Sequence, residues 1–202
     1  AVAINDVDNT ITASVDAATV TTTGALSLSA TSDAGLDTLA VGGAVSGTFA
    51  GAGSVSLNDI ANTVEASITG GATVDADSMS LAATDTSTIE ALAGGVAGAG
   101  SVAIGAGVAT NEIDNTVKAL VEGSTLTATG ALTISATSET TISSTTVGGA
   151  VSGTFSGAGS VSLNDIANTV EAKISSAAFV DADSTIVAAS DTSTIEAFAG
   201  GI

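Results

Sequence analysis

The chain of 202 residues contains no proline, cysteine, histidine, tryptophan or tyrosine. Without cysteine there are no disulfides, and without cysteine and histidine the common zinc sites and imidazole general bases are excluded. Phe occurs only 4 times, so large aromatic anchors for a globular core or a binding hot spot are nearly missing. Ala, Val, Ile and Leu still bring the hydrophobic content to 45%, which is too high for a disordered chain. Stability must therefore come from backbone pairing and the packing of small side chains.

Positive charge is also scarce. Lys118 and Lys173 stand against 21 Asp and Glu residues, and the formal net charge is −19. Nucleic acid is not expected as a partner, because neutralising phosphates requires Lys and Arg. An acidic surface favours solubility outside the cell and association with cations. The chain has no initiator Met and no signal-like segment, so we expect it to be an excerpt of a longer polypeptide.

One pattern recurs through the whole chain: Asn-acid-Val/Ile-x-Asn-Thr-Val/Ile. Its copies begin at intervals of 53 residues, and no insertion or deletion is visible at this period. Self-similarity at a fixed spacing predicts a solenoid, in which each unit buries its apolar face against its neighbours. The units of this single repetitive segment are approximately 1–57, 58–110, 111–163 and 164–202.

The units alternate in type. Residues 41–92 and 147–198 are nearly identical, whereas adjacent units share mainly the Asn-Thr core, so the true period is a pair of 106 residues. Within a unit, apolar and hydroxyl residues alternate with a period of two, as in Leu-Thr-Ile-Ser-Ala at 132–136, which predicts β-strands. We therefore predict an all-β fold, a β-solenoid of the right-handed β-helix type. A 53-residue unit is expected to form two coils, with three shorter coils as the alternative, so that equivalent residues of neighbouring units lie roughly 10 Å apart.

A Gly/Ala-rich stretch without charge separates the polar parts of the units, for example residues 91–111. It is long enough to span a membrane as a helix, but its many glycines make a poor helix and basic flanking residues are missing. We predict instead one long strand with a smooth face of small residues, with Leu92 and Val96 on one side and Ala93 and Ala97 on the other. Membrane insertion is the less favoured interpretation.

Stacked units would align their asparagines into two columns at a turn, where Asn tolerates left-handed backbone and stacked amides satisfy one another. We interpret both columns as structural ladders rather than binding sites. The first column contains Asn5, Asn58, Asn111 and Asn164. The second contains Asn9, Asn62, Asn115 and Asn168. An outward column of Thr12, Glu65, Lys118 and Glu171 would place one lysine between two glutamates.

Pairs of aspartates two residues apart are the candidate metal ligands. Asp75 and Asp77, and again Asp181 and Asp183, would project from one face of a strand, and paired carboxylates can bind Ca²⁺. The neighbouring units lack the pair, and neither the nonapeptide of calcium-binding β-rolls nor an EF-hand loop is present. No cofactor is therefore assigned, and Ca²⁺ stays an alternative to a solvated acidic turn. Similar pairs beside the Asn columns are Asp6 with Asp8 and Glu112 with Asp114.

Catalysis is not expected. Ser and Thr are abundant, but no His is present to activate them. The glycine runs, such as 51–53, lack the Lys of a phosphate-binding loop. Carboxylates that act on sugars need a cleft and one raised pKa, and the sequence shows no aromatic platform for a sugar.

Several segments resemble the repeat regions of giant bacterial exoproteins, namely the filamentous haemagglutinin, leukotoxin-type and autotransporter adhesin families. These segments are Gly-Gly-Ala-Val-Ser-Gly-Thr-Phe at 42–49, Gly-Ala-Gly-Ser-Val-Ala-Ile-Gly at 98–105, Asn-Asp-Ile-Ala-Asn-Thr-Val-Glu-Ala at 58–66 and Thr-Gly-Ala-Leu-Thr-Ile-Ser-Ala at 129–136. The resemblance implies a secreted, right-handed β-helical stalk that carries adhesive or toxic ends. It transfers no functional residue, because such repeats contain no catalytic motif to match.

The expected function is structural. We expect an extracellular fibre or stalk of a bacterial surface protein or adhesin, which either spaces an adhesive tip from the cell or assembles with itself into filaments by end-to-end or lateral β-stacking. A host-surface or matrix ligand is not identified by the sequence. The alternatives are a calcium-dependent adhesive module and a membrane-active repeat built on the Gly/Ala stretches.

Overall fold

The computed structural model describes all 202 residues, which form sixteen β-strands. No helix suited to crossing a membrane occurs in it. Four consecutive strands make one coil, and each strand pairs in parallel with the equivalent strands of the neighbouring coils. The result is four parallel four-stranded sheets, consistent with the predicted β-solenoid.

Each sheet collects one strand from every coil. The first strands form the return sheet: β1 (Val2–Val7), β5 (Phe49–Ile60), β9 (Val102–Ile113) and β13 (Phe155–Ile166). The second strands form the side sheet: β2 (Thr10–Asp16), β6 (Thr63–Thr69), β10 (Thr116–Glu122) and β14 (Thr169–Ser175). The third strands form the corner sheet: β3 (Thr19–Thr21), β7 (Thr73–Ala76), β11 (Thr125–Ala128) and β15 (Phe179–Asp181). The fourth strands form the long sheet: β4 (Ala25–Ser46), β8 (Ser78–Ala99), β12 (Ala131–Ser152) and β16 (Ser184–Gly201).

The strand register shows that a 53-residue unit is a single coil. Asn5 pairs with Asn58, Asn58 with Asn111, and Asn111 with Asn164, each one unit apart. The expectation of two coils per unit is wrong, as is the alternative of three, and the 106-residue pair is two coils. The physical reason is the 22-residue strand of the long sheet, which makes the coil wide and flat. Equivalent residues are consequently about 4.8 Å apart, the spacing of paired strands, and not about 10 Å.

The wide part of each coil is an aliphatic core between the side, corner and long sheets. Val64, Ala66 and Ile68 of β6 point inward, as the alternation predicted, and they pack with Leu81 of β8 and Leu132 of β12. A second, smaller layer of isoleucines follows along the long strand and is fully buried. Its members in the middle coils are Ile60, Ile89, Ile113 and Ile142.

The Gly/Ala-rich stretch is two strands rather than one. In residues 91–111 the chain leaves β8, turns at Gly100 and Ser101, and returns as β9. The strand–turn–strand segments 39–57, 92–110 and 145–163 place their two strands in different sheets, and they stack into a thin two-layered edge of the solenoid, which we call the blade. Its hydrophobic cluster consists of alanines, Ala50, Ala97, Ala103 and Ala150.

Close approach of the two layers explains why the blade is filled with glycine and alanine. A Cβ atom on Gly95 would collide with the carbonyl oxygens of Ala52 and Ala106 on the opposite layer. Since only the smallest residues fit inside, the larger Leu92 and Val96 face outward. The predicted division into a small face and a large face is confirmed, but the small face is the buried one.

The alternation of coil types is visible in the turn between the side and corner sheets. Residues of the corner sheet pair at separations of 54, 52 and 54, as in Thr19 with Thr73, Thr73 with Thr125, and Thr125 with Phe179, while the flanking sheets keep 53. Coils two and four carry one more residue in this turn and one fewer in the next. The expectation that no insertion or deletion disturbs the register is therefore wrong locally, since the two changes cancel.

Positive φ angles mark the same turn and follow the same alternation. The shorter turn needs one left-handed residue, Ala17 or Gly123, and the longer turn needs two. In coil two these are Gly70 and Gly71, and in coil four Ser176 and Ala177. Ala17, Ser176 and Ala177 are therefore held in a left-handed conformation that only glycine adopts without steric cost.

We predict that Ala177→Gly stabilises the chain by about 0.5–1 kcal/mol, because relief of left-handed strain outweighs the extra backbone entropy of glycine. Denaturant unfolding followed by circular dichroism measures the change. The reciprocal variant Gly71→Ala is the control. No atom lies within 4 Å of a Cβ at Gly71, so its expected destabilisation reports backbone conformation alone. A destabilised Ala177→Gly variant would contradict the assignment.

Candidate functional site

The first Asn column is a continuous hydrogen-bonded ladder inside the solenoid. Asn5 Nδ2 donates to Asn58 Oδ1 at 2.8 Å, Asn58 Nδ2 to Asn111 Oδ1 at 2.7 Å, and Asn111 Nδ2 to Asn164 Oδ1 at 2.7 Å. The Thr38 hydroxyl, on the opposite layer, donates to Asn58 Oδ1 at 2.6 Å. These asparagines lie within return-sheet strands, and not at a turn as predicted. Every donor points the same way along the stack, so the ladder has a direction.

The second Asn column occupies the bend between the return and side sheets, in agreement with the predicted turn position. Here the side chain accepts from backbone: Asn9 N–H donates to Asn62 Oδ1 at 3.2 Å and Asn62 N–H to Asn115 Oδ1 at 2.8 Å. Asn115 N–H continues the series to Asn168 Oδ1 at 3.2 Å. These bonds satisfy backbone donors that the chain leaves unpaired where it leaves the strand.

A buried aspartate, Asp85, completes the second column. It is fully buried and accepts from Asn115 Nδ2 at 2.7 Å and from the Ser87 hydroxyl at 2.9 Å, with Asn62 Nδ2 further off at 3.5 Å. Burial raises the pKa of this carboxyl above its usual value, although hydrogen bonds from Ser87, Ser32 and Asn62 oppose the rise. The sequence reasoning missed Asp85. The available signal was an acidic residue on the inward face of an alternating strand.

Carboxylates alternate with neutral residues along most columns of the stack. Two ionised carboxylates one coil apart would repel each other by roughly 1–4 kcal/mol, depending on how much water surrounds them. The interior column reads Ser32, Asp85, Ser138, Asp191. An exterior column of the long sheet reads Asp33, Thr86, Glu139, Thr192. A corner-sheet column reads Thr21, Asp75, Thr127, Asp181. The 106-residue period thus keeps like charges two coils apart.

Two columns break this alternation. On the long sheet Asp37 lies beside Glu90, and Ser143 then separates Glu90 from Glu196. Asp6, Asp59, Glu112 and Asp165 form an unbroken acidic row on the outside of the return sheet. Desolvation raises the pKa of Asp59, and the nearby charges of Asp6, Asp114 and Asp8 raise it further. No group of three or more acidic side chains is arranged to hold a metal ion.

The candidate calcium ligands are on the surface. Asp75 and Asp77 both face outward, as predicted for residues two apart. Asp77 accepts from the Thr129 hydroxyl at 2.6 Å. The structure does not bring this pair together with Asp181 and Asp183, since Thr127 stands between Asp75 and Asp181 in the column.

The predicted lysine position is confirmed in register. Lys118 is paired with Glu65 on one side and Glu171 on the other. The ion pair that forms, however, joins Lys173 to Glu171 at 3.4 Å, and both side chains are about half exposed. A pair so exposed contributes under about 1 kcal/mol.

We predict that Ser138→Asp destabilises the chain by at least about 3 kcal/mol, since it places a second buried carboxylate directly between the buried Asp85 and the exposed Asp191. The control is Ser138→Ala at the same position. The Ser138 hydroxyl is buried without a hydrogen-bond partner, so its removal is expected to be neutral or slightly stabilising. Denaturant unfolding of both variants is the measurement, and equal stability would refute the charge-spacing explanation.

We predict that the chain becomes more stable as the pH falls from 7 towards 4. The pKa values of Asp59 and Asp85 in the folded chain are raised above the ordinary value of an aspartate. Their stabilising contribution is therefore full below the unfolded pKa and is lost as the pH rises through the folded pKa. Thermal unfolding across this range measures the trend. Asp85→Ser, which copies the residue of coils one and three, should show a smaller change with pH. An unchanged slope would exclude Asp85 as a source.

No protein-family model matches the chain, and no curated protein or solved structure is significantly similar to it.

Proposed function

We propose that this chain is a structural segment of an extracellular rod, a fibre or stalk of a bacterial surface protein or adhesin, built as a right-handed β-helix with a two-coil repeat of 106 residues. The observation that carries the proposal is the unbroken Asn5–Asn58–Asn111–Asn164 ladder, held in one register by parallel strands through all four coils. A fold whose polar interior is devoted to coil-to-coil bonds is suited to length and stiffness.

The hydrogen-bond inventory supports this role. Of 138 backbone hydrogen bonds, 112 lie within the strand ladders. Buried polar side chains also form hydrogen bonds between adjacent coils. These side chains are the two Asn columns and Asp85. We infer a non-enzymatic role, because the abundant hydroxyls have no His to activate them.

The edge coils are suited to receive a further coil, whether from the same or another copy. Ile142, in the interior of coil three, is fully buried, but its counterpart Ile195 in coil four is 48% exposed. The Asn ladder points towards coil four, where Asn164 Nδ2 bonds only the Ser162 hydroxyl of its own strand. A following coil of the first type would place Ser32 beside Asp191, which preserves the charge alternation. These features support head-to-tail stacking by strand addition.

We predict that purified material forms uniform fibres whose diffraction contains an axial reflection at about 4.8 Å, the strand spacing. The alternation of coil types adds a weaker axial reflection at about 9.6 Å, twice that spacing. Electron microscopy and fibre diffraction test the proposal. Short monodisperse monomers at high concentration would refute self-assembly, and a fibre without the second reflection would refute the two-coil repeat.

A further inference from the structure

The outer face of the long sheet within the blade carries a checkerboard of valine and glycine. The register aligns three columns in which the two residues alternate, and adjacent columns are out of phase. The columns are Val41, Gly94, Val147, Gly200; then Gly43, Val96, Gly149; then Val45, Gly98, Val151. Each valine is therefore surrounded by hollows on its own face, with Val96 at the centre.

Val96 has a coil on both sides and is still 57% exposed. Val45 and Val151 each have a neighbouring coil on one side only at this position, and they are 92% and 75% exposed. Leu39 and Leu92 extend the patch at 69% and 43%. Contiguous exposed apolar patches of this kind mark interaction sites.

The opposite face of the blade does not offer the same relief. There the Phe49 ring lies over Gly51, 3.8 Å from the position of a Cβ atom, and the Phe155 ring lies over Gly157 at 3.5 Å. Both hollows are filled by side chains of their own face. On the long-sheet face nothing lies within 4 Å of a Cβ position at Gly43, and at Gly98 only Val45 Cγ2 lies at 4.0 Å. The relief is shallower at Gly149, where Val96 Cγ2 lies at 3.5 Å, and the Phe198 ring covers Gly200 at 3.3 Å.

We propose that the checkerboard is a homotypic interface, on which a second copy of this chain packs with its valines over the facing glycines. A shift of one coil, about 4.8 Å, brings knobs over hollows, so the surface is complementary to itself. The patch itself is uncharged. The acidic column of Asp37, Glu90 and Glu196 at its border disfavours anionic lipid as the occupant, and it weakens the pairing of two acidic copies at low salt.

The size of the patch sets the strength of pairing. Residues 39–45 across four coils cover roughly 23 by 19 Å, or about 900 Å² for both partners, from the strand rise and strand spacing. A stable interface needs about 1,200–2,000 Å². One copy should therefore pair weakly, and pairing should strengthen with the number of stacked coils. The inference rests on the proposed rod, whose lengthening supplies those coils.

A cross-linking experiment tests the geometry, because the native chain has no cysteine. Val96→Cys places one thiol at the centre of the patch, and a short bis-maleimide should link two copies. Thr84→Cys, on the same outward face of β8 about 40 Å away along the strand, sits in an uncharged column between Thr31 and Thr137 and should link at least tenfold less. Equal yields from the two positions would overturn the inference.

Removal of the knobs tests the energetics. The triple variant Val45→Thr, Val96→Thr, Val151→Thr keeps β-branched side chains and should weaken lateral association at least tenfold in sedimentation equilibrium, with an unchanged circular dichroism spectrum. Phe179→Thr is the matched control, since Phe179 is 60% exposed outside the blade and aligned with Thr125. Equal association of the triple variant and the control would refute the proposed interface.

Small-angle scattering separates this inference from the proposed function. Paired rods should show a larger cross-section than a single solenoid, and the triple variant should return to single width. Fibres with the 4.8 Å reflection but the width of a single solenoid would overturn lateral pairing and leave the proposed rod intact. Particles of paired width that do not grow along the axis would overturn the self-assembling rod and leave the lateral interface intact. Flotation of the chain with lipid vesicles would assign the patch to a membrane and overturn the homotypic interface.

Discussion

The strand spacing of about 4.8 Å is the constraint on which the rest of this structure depends. Because each 53-residue unit is one coil, every side chain lies directly against its equivalent in the next coil. A residue is therefore acceptable at a position only if it can stack on itself or on the residue that the neighbouring coil supplies. Because the units are repeated in tandem, the residue at one position of the unit forms a column of stacked side chains along the solenoid.

Asparagine and aspartate meet this constraint differently. An amide carries both a donor and an acceptor, so Asn58 can accept from Asn5 and donate to Asn111, and identical residues fill every coil. An ionised carboxylate only accepts, and it repels a copy of itself. Asp85 accordingly sits between serines and takes its donors from Asn115 and Ser87. The column chemistry thus explains why the Asn pattern repeats every 53 residues while most acidic positions, outside the columns of Asp6 and Asp37, repeat every 106.

The sequence predicted the all-β class, the 53-residue register and the inward set Val64, Ala66 and Ile68, because period-two alternation and self-similarity act locally and are visible in one dimension. It did not predict the number of coils per unit. The number of coils per unit depends on the 22-residue length of β8. That length is not evident from the sequence, because Gly95 and the neighbouring small residues lack the pattern of a strand. The burial of Asp85 was missed for a related reason: its compensating donors, Asn62 and Asn115, come from distant parts of the chain. Hydrogen-bond partners across a coil leave no sequence signal near the residue itself.

The blade reverses the usual arrangement of large residues inside and small residues outside. Its two layers lie so close that a Cβ at Gly95 meets opposing carbonyl oxygens, which leaves the outer faces as the only place for bulk. On the outer face of the long sheet, large and small residues alternate from coil to coil: Val96 lies between Gly43 and Gly149, and Val45 lies beside Gly98. Charge separation would require a two-coil period only at acidic positions, and the blade has none. The alternation of valine and glycine in an uncharged region therefore needs a separate cause. What the alternation determines is the pattern of protruding side chains and hollows on the outer surface of the blade.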